Sequence, residues 1–218
     1  MATWMTHFRI TDKLLRDIGD LPQKQFIVGN IAPDSGEPNE DWSVFTPSKK
    51  FSHWEVEGVI AESSAEKFKE AYLDKAGGLE ERAFCLGYYA HLIVDYLWHS
   101  DVYLIQKDRH KTEFAEDPRF TRKLKADWYD LDHLFLRDNP EFRTFKMFAG
   151  IKNFPNRYLD IFSEQAFEKR IEYITNFYLK DRDGLDRDYP FMKMTEMDSF
   201  VDMAVKKIRN KIKDCYKD

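Results

Sequence analysis

Cysteine is scarce in this sequence: Cys85 and Cys215 are the only two, and they lie far apart. No CxxC or Cys-rich spacing exists, which excludes a disulfide framework and a thiolate zinc site. The LGYY context of Cys85 reads as a buried, inert thiol rather than a nucleophile. Long apolar runs are missing as well. No stretch approaches the roughly 20 apolar residues of a membrane span. The first residues, MATWMTHFRITDKLL, lack the apolar core of a signal peptide. These absences give the expectation of a cytoplasmic, reduced protein with no membrane span. Positive charge is not in excess either, with 34 Lys and Arg against 39 Asp and Glu and a net charge of −5. Such a balance does not draw a nucleic-acid backbone over long range, so duplex binding is disfavoured. A small nucleotide or phosphoester substrate remains open, because a bound divalent metal supplies positive charge locally. Alternating strand patterns, internal repeats and low-complexity tracts are absent too.

What is present is a chain of 218 residues, 43% hydrophobic and 16% aromatic. That is enough to bury a core, and we expect one domain over residues 1–218. Residues 6–19 read as a helix, with Thr6 able to cap it and Gly19 near its stop. Residues 20–58 hold Gly29, Pro33, Gly36, Pro38 and Pro47 and read as a long irregular segment, of the kind that is often functional. Helical patterns follow at 62–76, 79–105, 119–137, 141–150, 157–180 and 195–216. The span 79–105 is apolar nearly all round, as a buried central helix is. The expected fold class is therefore all-α, a helical bundle.

The histidines are the most informative feature. His91, Asp95 and His99 follow one another at four-residue steps inside the most apolar helix, which places them on one narrow stripe. A buried carboxylate between imidazoles is costly unless something compensates it. A core hydrogen-bond network is the plain alternative, but a divalent cation compensates better, and imidazole with carboxylate suits zinc. One helix cannot close a coordination sphere. Asp34 in GNIAPDSG and His53 in FSHW are candidate partners from the irregular segment, and His7 from the first helix. Another helix, DWYDLDHLFL, offers Asp130 and His133 three residues apart on one side, able with His99 to hold a further metal. Asp127 and Asp132 are read as solvated, or as hydrogen-bonding to ligands. His110 reads as a surface residue. Trp42, Trp54, Tyr88 and Trp98 are candidates for a pocket wall, although such residues more often pack a core.

Taken in order, Trp4 and His7, Asp34, His53, His91 with Asp95, and His99 resemble the zinc-dependent phospholipase C family, which includes single-strand-specific fungal nucleases. The resemblance covers roughly residues 1–140, with 141–218 as a helical continuation of the same domain. It implies an α-helical bundle around a buried cluster of two or three zinc ions. Asp34, His53, His91 and Asp95 would hold one ion, His7 would join a bridging Asp95 at a second, and His99 would begin a third. It implies phosphodiester cleavage by metal-activated water, with Asp95 bridging and Asp34 assisting as general base. The sequence departs from the pattern at two places. Trp4 is preceded by three residues, where family members use an N-terminal tryptophan amine as a ligand. Arg137 stands where a carboxylate is expected after His133, so Asp130 with His133 is the substitute pair. The expected function is a zinc phosphoesterase, a phosphodiesterase acting on a small substrate such as a phospholipid or a nucleotide. The alternative is a non-catalytic metal-binding or interaction protein that kept the fold. A di-iron bundle is disfavoured because repeated Glu-x-x-His motifs are absent.

Overall fold

A computed structural model describes residues 1–17, 19–41, 43–56, 58–213 and 215. Its helices are α1 (Trp4–Leu14), α2 (Gln23–Ile31), α3 (Lys49–Ser52), α4 (Glu62–Ala71), α5 (Leu79–Trp98) and α6 (Leu104–Arg109), then α7 (Lys111–Glu116), α8 (Thr121–Asp138), α9 (Arg143–Ala149), α10 (Ala166–Leu179) and α11 (Met194–Ile212). The fold is all-α. The strands among the described residues form one antiparallel ribbon, pairing Glu37 with Thr46 and Pro38 with Phe45.

Helix α5 is the axis of the core. Gly78 precedes it, Glu80 and Glu81 occupy its first turn where the helix dipole favours acids, and residues from Ala83 to Asp95 are buried on every side. It runs on through a π-helical turn, His99–Tyr103, into α6. The amphipathic helices close around it. In α11, Met197, Phe200, Val201, Ala204, Val205 and Ile208 recur at helical spacing and are buried. In α8 the buried stripe is Leu124, Trp128 and Leu131, and it also takes in Asp127, Asp132 and His133.

Helix α2 corrects the reading of 20–58 as irregular. Pro22 opens the helix, at a position where proline's fixed φ costs nothing. Gly29 lies in its middle because a Cβ there would sit 2.0 Å from the Phe84 carbonyl oxygen. Gly87 of α5 answers from the other side, where a Cβ would lie 2.2 Å from the Phe26 carbonyl oxygen. These glycines mark a close helix–helix contact and not a break. Three other boundaries also move. Thr3, not Thr6, caps α1, its hydroxyl accepting from the Thr6 amide. Residues 157–165 precede α10 instead of belonging to it. The expected charged loop after α6 carries the short helix α7.

Candidate metal centre

Four elements converge on one point. Helix α1 contributes His7, the turn after α2 contributes Asp34, the residue after α3 is His53, and α5 brings His91 and Asp95. His7, His53, His91 and Asp95 have no exposure at all, and Asp34 has 7%. The Nε2 atoms of His53 and His91 are 3.3 Å apart. Asp95 Oδ2 lies 3.3 Å from His91 Nε2 and 3.4 Å from His53 Nε2. Asp34 Oδ1 lies 3.6 Å from His53 Nε2. On the other side of Asp95, Oδ1 is 3.5 Å from His7 Nε2 and accepts a 2.8 Å hydrogen bond from the Ala2 amide. The His7 ring stacks on His91 with centroids 4.0 Å apart.

The ring orientations are set from outside the cluster. His91 Nδ1–H donates to the Asn30 carbonyl at 2.7 Å, and His53 Nδ1–H to the Lys49 carbonyl at 3.1 Å. Each bond fixes a tautomer that turns the Nε2 lone pair inward. Asn30 itself is tied to α5, its side-chain amide donating to the Gly87 carbonyl. Tyr88 anchors the α3 turn by donating its hydroxyl to the Ser52 carbonyl. Trp4 Nε1 donates to Asp34 Oδ2 at 2.8 Å, leaving Oδ1 to the cluster.

Electrostatics agree with that arrangement. Burial is the main influence lowering His7 and His53 to about 4, so both are neutral near pH 7. Burial pulls His91 down too, but Asp95 and Asp34 outweigh it and hold His91 above the ordinary imidazole value. Burial would raise both carboxyls. Lys49 and the imidazoles hold Asp34 well below the usual range, and His91 with the chain's amino terminus does so for Asp95.

His7 Nε2, Asp34 Oδ1 and Asp95 Oδ2 are buried without a hydrogen-bond partner. Orphaned buried polar atoms of this kind are rare. Their residues fall into two donor groups, and a cation held by each group would satisfy them. Zinc bonds of about 2.0–2.1 Å in a tetrahedron imply donor–donor edges of roughly 3.3–3.4 Å, which is the spacing of His53, His91 and Asp95. Among the described residues, two groups have donors close enough for one ion: Asp34, His53 and His91, and His7, His91 and Asp95. The donor set fits zinc.

His99, Asp130 and His133 are not brought into either group. His99 lies eight residues beyond His91, about 12 Å along the helix, and its ring stacks on Tyr103. Asp130 is paired with Arg182 and Arg187, and the His133 ring lies against Phe177 and Tyr178. Asp127 accepts from the Phe191 amide and pairs with Arg187. Asp132 accepts from Thr3 and Tyr178. His110 sits against Phe120 and Phe191, half-buried. Of the aromatic candidates, Tyr88 and Trp98 belong to the core, Trp54 packs against it half-buried beside Phe68 and Tyr72, and Trp42 lies outside the described residues.

The cluster opens outward at Asp34. A crevice of about 40 Å³, room for roughly one water, is lined by Ala2, Trp4, Asp34, Lys49, Lys125 and Tyr129. Lys49 Nζ stands 3.5 Å from Asp34 Oδ1. The sequence reading passed over both lysines. The signal for Lys125 was its place beside Leu124 and one turn before Trp128, a cation on the apolar stripe of α8.

A helical fold closed over a buried three-histidine, two-aspartate donor set defines a class of metal-site protein. Within it, residues 6–211 match the family model described as zinc dependent phospholipase C, and the chain belongs to that family. Neither the curated proteins nor the solved structures provide a match.

Proposed function

We propose that this protein is a zinc-dependent phosphodiesterase. The observation that supports the reading is the convergence of His7, Asp34, His53, His91 and Asp95 into two buried donor groups, which meet solvent at the crevice beside Asp34. Zinc held there would supply Lewis-acid activation of water and of the phosphoryl oxygens. The protein's own groups do the rest. Asp95 turns Oδ1 toward His7 and Oδ2 toward His53 and His91, so one carboxylate stands between the two donor groups. Asn30 and the Lys49 carbonyl keep His91 and His53 aimed inward. Asp34 is the one donor of the set with measurable exposure, so it is the carboxylate that meets an entering water. Its depressed pKa suits it to orient that water and to bind metal more than to take up a proton. Trp4 holds its second oxygen in place.

The test pairs metal content with turnover. Purified protein is expected to carry zinc by elemental mass spectrometry, and to hydrolyse bis-p-nitrophenyl phosphate in a chelator-sensitive manner. Stoichiometric zinc without turnover would favour the non-catalytic metal-binding reading. A protein that neither holds nor takes up zinc would return the cluster to a polar network.

A further inference from the structure

Two lysines line the crevice, and Asp34 is the one carboxylate in its lining. Asp34 is already engaged, through Trp4 at one oxygen and the cluster at the other. Lys49 approaches it from the exposed side. Lys125, half-buried in the same crevice, has no hydrogen-bond or ion-pair partner among the described residues. Arg170 adds a further positive charge nearby, its guanidinium 6.0 Å from the Trp4 ring and its Nη2 donating to the Gly36 carbonyl. A lysine that loses water without gaining a counter-ion is unfavourable, and two ammonium groups lining one crevice repel each other. Burial and the Lys49 charge pull the Lys125 pKa below its ordinary value. A site arranged in this way is completed by an anion.

We propose that Lys125 and Lys49 form an anion-binding rim that selects phosphodiesters carrying a further negative group beside the scissile phosphate. The inference rests on the hydrolase reading above and names its substrate class. A simple diester brings one negative charge, which the cluster attracts. A second group, a phosphomonoester elsewhere on the substrate, would reach Lys125 while the diester faces Asp34. A zwitterionic choline headgroup would instead place its cation against two lysines.

The experiment uses the full chain loaded with zinc. Inorganic phosphate binding is measured by calorimetry for wild type, Lys125→Met, Lys125→Arg and Lys123→Met, the last changing an exposed lysine on the same helix. Loss of a charge-assisted hydrogen bond is expected to weaken phosphate binding about tenfold in Lys125→Met. Lys125→Arg should restore most of it, and Lys123→Met should leave it alone. Unchanged affinity in Lys125→Met overturns the proposal. Should that variant not fold, wild-type selectivity decides. Vesicles of phosphatidylinositol 4-phosphate are compared with phosphatidylcholine, and 5′-phosphorylated dithymidylate with its unphosphorylated form. Faster cleavage of the charged member of the first pair supports the rim with a lipid source, and of the second pair with a nucleotide source. Equal or inverted rates in both pairs overturn it. If bis-p-nitrophenyl phosphate and both pairs go uncut while phosphate binding still depends on Lys125, the hydrolase reading fails and the anion site stands.

Discussion

Asp95 is the residue on which the rest of the centre depends. Its two oxygens face different partners, His7 and the Ala2 amide on one side, His53 and His91 on the other. Asp95→Asn is expected to strip zinc from the protein, whereas His99→Ala should leave the metal content near wild type; elemental mass spectrometry distinguishes them, and equal loss would count against the bridging role. The four-residue step from His91 to Asp95 made that pair legible, because helix geometry fixes it. The same step repeated to His99 was not informative, because a stripe preserves angle but not height. Nothing in the sequence showed that Asp130 would be claimed by Arg182 and Arg187, which arrive from far down the chain. Asp132 offers a pH test. Burial raises its pKa to about 7, against the opposing hydrogen bonds from Tyr178 and Thr3. A carboxyl raised in this way contributes stability that is complete below the unfolded value near 3.8 and is lost as pH climbs through about 7. In urea unfolding at several pH values, Asp132→Asn should therefore gain on wild type between about pH 4 and pH 7. A constant difference across that range would show that the group does not titrate there.

At the scale of elements, the contact between α2 and α5 carries the geometry. Gly29 and Gly87 let the two backbones touch, and Asn30, next to Gly29, then reaches both the Gly87 carbonyl and His91. Gly87→Ala would place a methyl on the Phe26 carbonyl and the Asn30 amide, so the helices must part. The expected cost is about 1–3 kcal/mol in urea unfolding, with zinc affinity falling as His91 loses its aim. Unaltered stability would mean that the contact tolerates a methyl. This element was misread from sequence because glycine was taken as punctuation. Its meaning here is close approach, which depends on a partner helix more than fifty residues away. The amphipathic α8 and α11 were legible because their apolar periodicity is local.

For the whole molecule, the centre is also a structural tie between the chain's first helix, its second and its fifth. Zinc bound to the folded state alone should stabilise it by about 2.7 kcal/mol at a free concentration a hundredfold above Kd. Melting temperature should therefore rise with added zinc and fall with a chelator; a melting temperature indifferent to both would argue against a site formed only on folding. The family match extends to residue 211, beyond the 1–140 that carried the resemblance. In the structure Tyr178 of α10 accepts from the Met5 amide, and Met197 of α11 receives the Thr6 hydroxyl, so the later helices hold α1 in position. Those contacts join segments with no shared motif, so no local pattern announces them. The buried centre has a consequence in time. With four of its five side chains out of contact with solvent, a bound ion would leave slowly compared with one held at a surface site. Ownership of the metal would then be decided while the helices are still closing, by whichever ion is at hand, and the folded protein would keep that choice as a record of where it was made.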